Sequence, residues 1–149
     1  MRRIVKFFRF SLKDKVLLLK IACLLYGNWL GLRLFRFQRL YRFLEKYRQP
    51  DTSTVSEQYK VMEKISLWVE ELGRLLLGED SCFPQALTGQ LLFNRLGLNP
   101  CIQIGVMKEV DGRLRAHAWV IVDGEVVIGG PISQVQKFIP LGDFSSDNL

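Results

Sequence analysis

The sequence predicts an α+β fold on three observations. Apolar residues recur at three- and four-residue spacing over the first two thirds of the chain, β-branched runs concentrate after Asn99-Pro100, and two Asp-Gly pairs divide those runs. Helices first and strands afterwards point to segregated layers, not to alternating βα units. With 149 residues, 48% of them hydrophobic, the chain is long enough for one compact domain over residues 1–149 with its own core.

The first helical stretch is SLKDKVLLLKIACLLYGNWLGLRLFRFQRLYRFLEKY, apolar at mixed helical spacing and poor in β-branched residues. Ser11 followed by Asp14 is an acidic capping signal, and Gly27 or Gly31 is expected to break the stretch into two helices. Residues 48–54, RQPDTST, read as a linker. From Val55 to Leu77 the apolar positions Val61, Ile65, Trp68, Val69, Leu72, Leu75 and Leu76 mark another amphipathic helix, which Gly78 ends. CFPQALTGQLLFNRLG opens a helix at Cys82, with Asp80 or Ser81 as its cap, Pro84 tolerated in the first turn and Gly97 as the stop. CIQIGVMK, LRAHAWVIV and EVVIGG then form an antiparallel meander of three strands, turned at Asp111-Gly112 and Asp123-Gly124.

Charge divides the chain. Residues 1–49 carry 13 Lys/Arg against Asp14 and Glu45, while residues 50–149 carry 8 against 13 acidic groups, so the net +6 hides a basic N-terminal region and an acidic remainder. Arg33, Arg36, Arg39 and Arg42 recur every three residues among aromatic neighbours. Such a stripe could make a peripheral contact with anionic lipid, although a solvated docking face for an acidic partner is the preferred reading. It carries no nucleic-acid motif, and basic charge alone does not argue for nucleic acid. The N-terminus mimics a signal peptide poorly: Lys20 and Asn28 interrupt it, no small-x-small site follows, and no uninterrupted span of about 20 apolar residues exists. Three cysteines cannot all pair within the chain, which favours a reduced, cytoplasmic protein. One histidine and three scattered cysteines lack metal-ligand spacing, so neither a metal nor a cofactor is expected.

The single histidine, His117, stands in the apolar run RLRAHAWVIVDGEVVIGG. A cysteine in the first turn of a helix sees the positive end of the backbone dipole, which favours the thiolate. If a strand-borne histidine reaches it, the two form a thiolate–imidazolium pair able to attack a carbonyl and protonate a leaving amine. Cys82 and His117 fit that template by type and placement. A packed histidine and an inert buried cysteine are the plainer alternative, and Cys23 and Cys101 suit the inert class.

The runs DSCFPQALTGQLLFNRLGLNPCIQIGV and AHAWVIVDGEVV resemble the transglutaminase-like cysteine proteases of lasso peptide biosynthesis, specifically the stand-alone protease half of a split B protein. The likeness rests on Cys82, Ala86, Leu87, Leu91 or Leu92, Gly97, Ile104, Gly105, Val106, Ala116, His117, Ala118, Trp119 and Val120, and the leucine-rich basic helices extend it over most of the chain. The resemblance implies a transglutaminase-like or papain-like core over residues 55–149 behind the basic helices of 1–49. Within it, Cys82 is the nucleophile and His117 the general base and acid. It implies a ribosomally made precursor as substrate, cut between leader and core, a small PqqD-like leader-binding protein as partner, and a separate asparagine-synthetase-like cyclase that closes the macrolactam.

The family usually supplies an Asp after the histidine strand to orient the imidazole. Asp123 is the tempting candidate, but six residues of strand put it roughly 20 Å from His117, at the hairpin tip. Counting back along the ladder sets His117 opposite Gly130, so the place of the expected Asp reads Gly129-Gly130-Pro131. Gln103, a backbone carbonyl or a water could substitute, although Gln103 more simply faces solvent. Trp119 shares the His117 face and either walls the site or belongs to an ordinary core. The missing Asp also admits a second function class, a catalytically silent module that binds a peptide partner or membrane surface.

Overall fold

A computed structural model of the protein describes residues 11–34, 55–78 and 81–145. Within them, three long helices, α1 (Leu12–Leu34), α2 (Val55–Leu77) and α3 (Cys82–Arg95), precede an antiparallel sheet of β1 (Cys101–Lys108), β2 (Leu114–Val122), β3 (Glu125–Ile128) and β4 (Ile139–Ser145), with one short helix, α4 (Ile132–Val135), before the last strand. The architecture is the predicted α+β one. Strand order is β3-β2-β1-β4, so the predicted meander is present with a fourth strand added beside β1. That strand, IPLGDFS, carries Pro140 and Gly142, which weaken any strand pattern and are tolerated at a sheet edge. The linker at residues 48–54 and the arginines at 36, 39 and 42 lie outside the described residues.

Helix α1 is continuous through both Gly27 and Gly31, contrary to the expected break. Each interior glycine costs a helix about 1 kcal/mol relative to alanine, an amount that packing offsets. Gly31 sits on the buried face with Leu18, Ile21, Leu25 and Asn28, and the Asn28 amide donates to Thr88 Oγ1 of α3 at 2.9 Å. Ser11 Oγ accepts from the Asp14 N–H, as the capping signal predicts. With 23 residues and a mean hydropathy of 1.4 over its most apolar window, α1 is long and apolar enough to cross a membrane by length and composition. The interruptions at Lys20 and Asn28 therefore do not exclude a span as the sequence argument held.

Helix α2 has the predicted bounds, and Gly78 ends it in the left-handed region at φ +74°. Its inner face is rotated from the predicted one. Met62, Ile65, Ser66, Val69 and Gly73 are buried, whereas Leu75 and Leu76 are 78% and 50% exposed. Helix α3 is the most enclosed, with every residue from Ala86 to Phe93 buried. Ile21 and Leu25, Ile65 and Val69, Leu87 and Phe93, and Ile102, Val120 and Ile128 meet in one core between the helices and the sheet. Each such side chain contributes about 1.5–3 kcal/mol on leaving water. On the opposite sheet face, Trp119, Val135 and Phe138 form a second, smaller core.

Candidate active site

Cys82 is the first residue of α3. Ser81 occupies the N-cap position but does not cap: its hydroxyl donates to Gly78 O at 2.6 Å and accepts from Gln85 Nε2 at 2.7 Å. Ser81 is thereby tied to the end of α2 and to the first turn of α3. Asp80, the other predicted cap, lies outside the described residues.

His117 is on β2, opposite Gly105 of β1. Beyond Val120, which pairs with Ile128, β3 no longer accompanies β2. The released side of β2 is where α3 begins, and the Ala118 N–H is hydrogen-bonded to Cys82, as is the Phe83 N–H from within the helix. The side chains of Cys82 and His117 are hydrogen-bonded to each other. The structure thus brings together the two residues that the sequence singled out.

The expected third member is replaced by backbone. His117 Nε2 lies 2.7 Å from the Gly129 carbonyl oxygen, which can only accept, so Nε2 carries the proton and Nδ1 is left to face the thiol. Two details of the sequence reading are corrected here. A register shift between Val120 and Ile121 ends the simple count that set His117 opposite Gly130, and the ring reaches Gly129 instead. Gln103 does not simply face solvent, because its Oε1 accepts the Trp119 indole N–H at 3.1 Å. Asp123 lies at the hairpin tip, as predicted, hydrogen-bonded by the Tyr59 hydroxyl.

Glycine is required at 129 for two reasons. Its φ is +115°, and a Cβ would fall 2.4 Å from Trp119 Cβ and 2.9 Å from Trp119 Cα. The same steric logic explains Gly105, where a Cβ would lie 2.8 Å from the Trp119 ring. Trp119 and Phe138 flank the imidazole at centroid distances of 6.0 and 5.0 Å. Trp119 is therefore both core residue and wall. The Gly129 and Gly130 N–H groups both donate to Glu70 Oε1, at 2.9 and 3.2 Å, which anchors the turn to α2. Glu70 was not singled out in the sequence, where it is one of several acidic residues on an amphipathic helix.

The electrostatics follow from these partners. Burial pushes the Cys82 thiol up, but hydrogen bonds from His117, Ala118 and Phe83 and the His117 charge outweigh it, and the thiol sits below its ordinary value. The hydrogen bond to Cys82 pushes His117 up; burial opposes this, the Gly129 carbonyl and the thiolate add to it, and Arg115 works against it. Both shifts favour the thiolate–imidazolium form. The pair opens onto a cleft of about 610 Å³ that Glu109, Arg113, Leu114, Arg115 and Ala116 also line. Cys23 is exposed, and the inert role expected for it is not enforced by burial; Cys101 is half-buried. Among the described residues, no cluster of three or more His, Cys, Asp or Glu could hold a metal.

A first-turn thiol held by a strand-borne imidazole, on helices packed against a small antiparallel sheet, is an arrangement of α+β class that can support thiolate chemistry. The chain belongs to the transglutaminase-like superfamily, whose family model matches residues 29–142. No curated protein and no solved structure matches it.

Proposed function

We propose that the protein is a cysteine peptidase that removes the leader from a ribosomally synthesised lasso peptide precursor. The observation that carries the catalytic part is the hydrogen-bonded Cys82–His117 pair lining an open cleft. The Cys82 sulfur attacks the scissile carbonyl carbon, with the first-turn Cys82 N–H as a donor for the developing oxyanion. The proton on Nδ1 passes to the departing amine, leaving a thioester. Water, deprotonated by Nδ1, then cleaves the thioester and restores the thiol.

The choice of peptide substrate is supported by the free side of β2. Among the described residues, no strand pairs with the β3 side of Leu114–Ala116, and these exposed residues line the cleft that leads to Cys82. An extended peptide can add to such an edge through main-chain hydrogen bonds. The assignment to lasso biosynthesis, with a PqqD-like leader-binding protein and an asparagine-synthetase-like cyclase as partners, rests on the motif resemblance around Cys82 and His117. The missing carboxylate admits a silent binding module as the alternative; the Gly129 carbonyl on Nε2 supports the catalytic reading.

Mass spectrometry of a lasso precursor incubated with this protein and the leader-binding protein tests the proposal. One leader–core cut, absent with Cys82→Ala and with His117→Ala, is expected. An intact precursor despite leader binding and folded protein would return the chain to the silent class.

A further inference from the structure

We propose that Glu70 serves as the remote carboxylate of the Cys82–His117 pair, acting through the single peptide unit between Gly129 and Gly130. The inference rests on the reading of that pair as a thiolate–imidazolium couple. It does not require that the substrate be a lasso precursor.

The geometry is a chain of two hydrogen bonds across one amide. The Gly130 N–H donates to Glu70 Oε1 at 3.2 Å, and the carbonyl of that same peptide unit, Gly129 O, receives the His117 Nε2 proton at 2.7 Å. The neighbouring Gly129 N–H donates to the same carboxylate oxygen at 2.9 Å, a second hold on the turn. A carboxylate on an amide N–H draws the amide dipole toward itself and leaves the carbonyl oxygen a better acceptor, so each bond strengthens the other. A carbonyl alone would position the ring as an Asp does but would stabilise its positive charge less. Glu70 supplies the missing charge from one peptide further away.

The arrangement also explains why the site holds no Asp at this place. Residue 129 must be glycine to pass against Trp119, so no side chain can reach the imidazole from it. The turn instead presents its backbone to His117 on one side and to α2 on the other. Ile128, immediately before the turn, sits with its Cδ1 where a Cβ on Gly89 would be, which seats the end of β3 on α3.

Among the described residues, Glu109 and Arg113 line the cleft beside the ring, with Glu109 paired to Arg115 at 3.7 Å. Cys82 faces the ring from α3 and raises its proton affinity, while Arg115, two residues away on β2, lowers it. Trp119 and Phe138 cover it without charge. The carboxylate lies roughly 8 Å from Nε2 along the bonded path, where an effective permittivity of about 20–40 gives an effect of about one pH unit on the imidazole.

His117 is the only histidine, so its imidazole NMR titration is unambiguous in the full-length protein. Glu70→Gln keeps an acceptor oxygen for the turn and removes the charge; Glu70→Asp keeps the charge on a shorter arm. In Glu70→Gln the His117 midpoint should fall by about one pH unit, and the alkaline limb of Cys82-dependent turnover should fall with it, whereas Glu70→Asp should stay near wild type. An unchanged midpoint in Glu70→Gln, or an equal fall in both variants, would overturn the inference and leave Glu70 as a structural anchor. The titration needs no substrate. A failed peptide-cleavage assay with a shifted His117 midpoint would therefore count against the proposed function only.

Discussion

Replacing Gly129 by alanine probes the point where sequence and mechanism meet. The residue has φ +115°, and its new Cβ would fall 2.4 Å from Trp119 Cβ and 2.9 Å from Trp119 Cα. Holding an L-residue in that backbone region costs about 1–3 kcal/mol, and overpacking a filled site adds a similar amount. A total of about 4 kcal/mol is a large part of the 5–15 kcal/mol typical of a domain, and at about 2–4 °C per kcal/mol it lowers Tm by roughly 8–16 °C. Relief of the clash also moves the carbonyl away from Nε2. The His117 midpoint should then fall, and the Cys82 thiol should move back toward its ordinary value. Thermal unfolding followed by circular dichroism reads the first effect, and imidazole NMR reads the second. A Gly129→Ala protein within about 0.5 kcal/mol of wild type, with an unmoved His117 midpoint, would refute the steric and electrostatic reasoning together. Gly129→Asp, which writes the expected family residue into the chain, should be no better, because the obstruction is Trp119 Cβ and Cα, which no rotation of the Trp119 side chain moves.

The pair itself gives a prediction of sign. Cys82→Ala removes the largest cause of the raised His117 value while burial and Arg115 still lower it, so the NMR midpoint should drop below that of wild type. The corresponding stability terms run oppositely. The His117 contribution is fully present below its unfolded value of 6.5 and is lost as pH rises through the folded value; that of Cys82 is present above its unfolded value of 9.0 and is lost as pH falls through the folded one. Asp123→Ala should leave both the His117 titration and Cys82 alkylation unchanged, since Asp123 is held by Tyr59 at the hairpin tip; a shift in either would put it back in the site. Asn28→Ala strands the Thr88 hydroxyl in the α1–α3 contact and should cost about 1–3 kcal/mol in urea unfolding, with neutral behaviour counting against that contact as a clamp on α3.

The order of elements, the bounds of α2, β1 and β2, and the residues of the pair were legible because periodicity, Asp-Gly turns and residue chemistry are local. The left-handed Asp123 and Gly124, at φ 50° and 83°, are what a tight two-residue turn needs, and Val122 duly faces Glu125. What escaped was non-local. The continuity of α1 depends on Gly31 being buried by its neighbours, and the edge strand β4 is held by pairing with β1, not by its own pattern. In the site, the gap left by the absent Asp was visible and a backbone carbonyl was among its expected substitutes, but that the carbonyl is Gly129 was not legible. That substitution depends on a register shift near Val120 and on a glutamate 59 residues before Gly129. Nothing in the local sequence around Glu70 distinguishes it from Glu71.

The catalytic reading rests on a Cys82 thiol held below its ordinary value by His117. Its most direct test is the rate of iodoacetamide alkylation at Cys82, mapped by peptide mass spectrometry across pH 5–10. A Cys23→Ser background removes the exposed competing thiol. Alkylation of Cys82 that rises at lower pH than in an ordinary thiol, and that returns to the ordinary thiol range in His117→Ala, is the expected result. A Cys82 rate that climbs only through the ordinary thiol range, identically with and without His117, would contradict it.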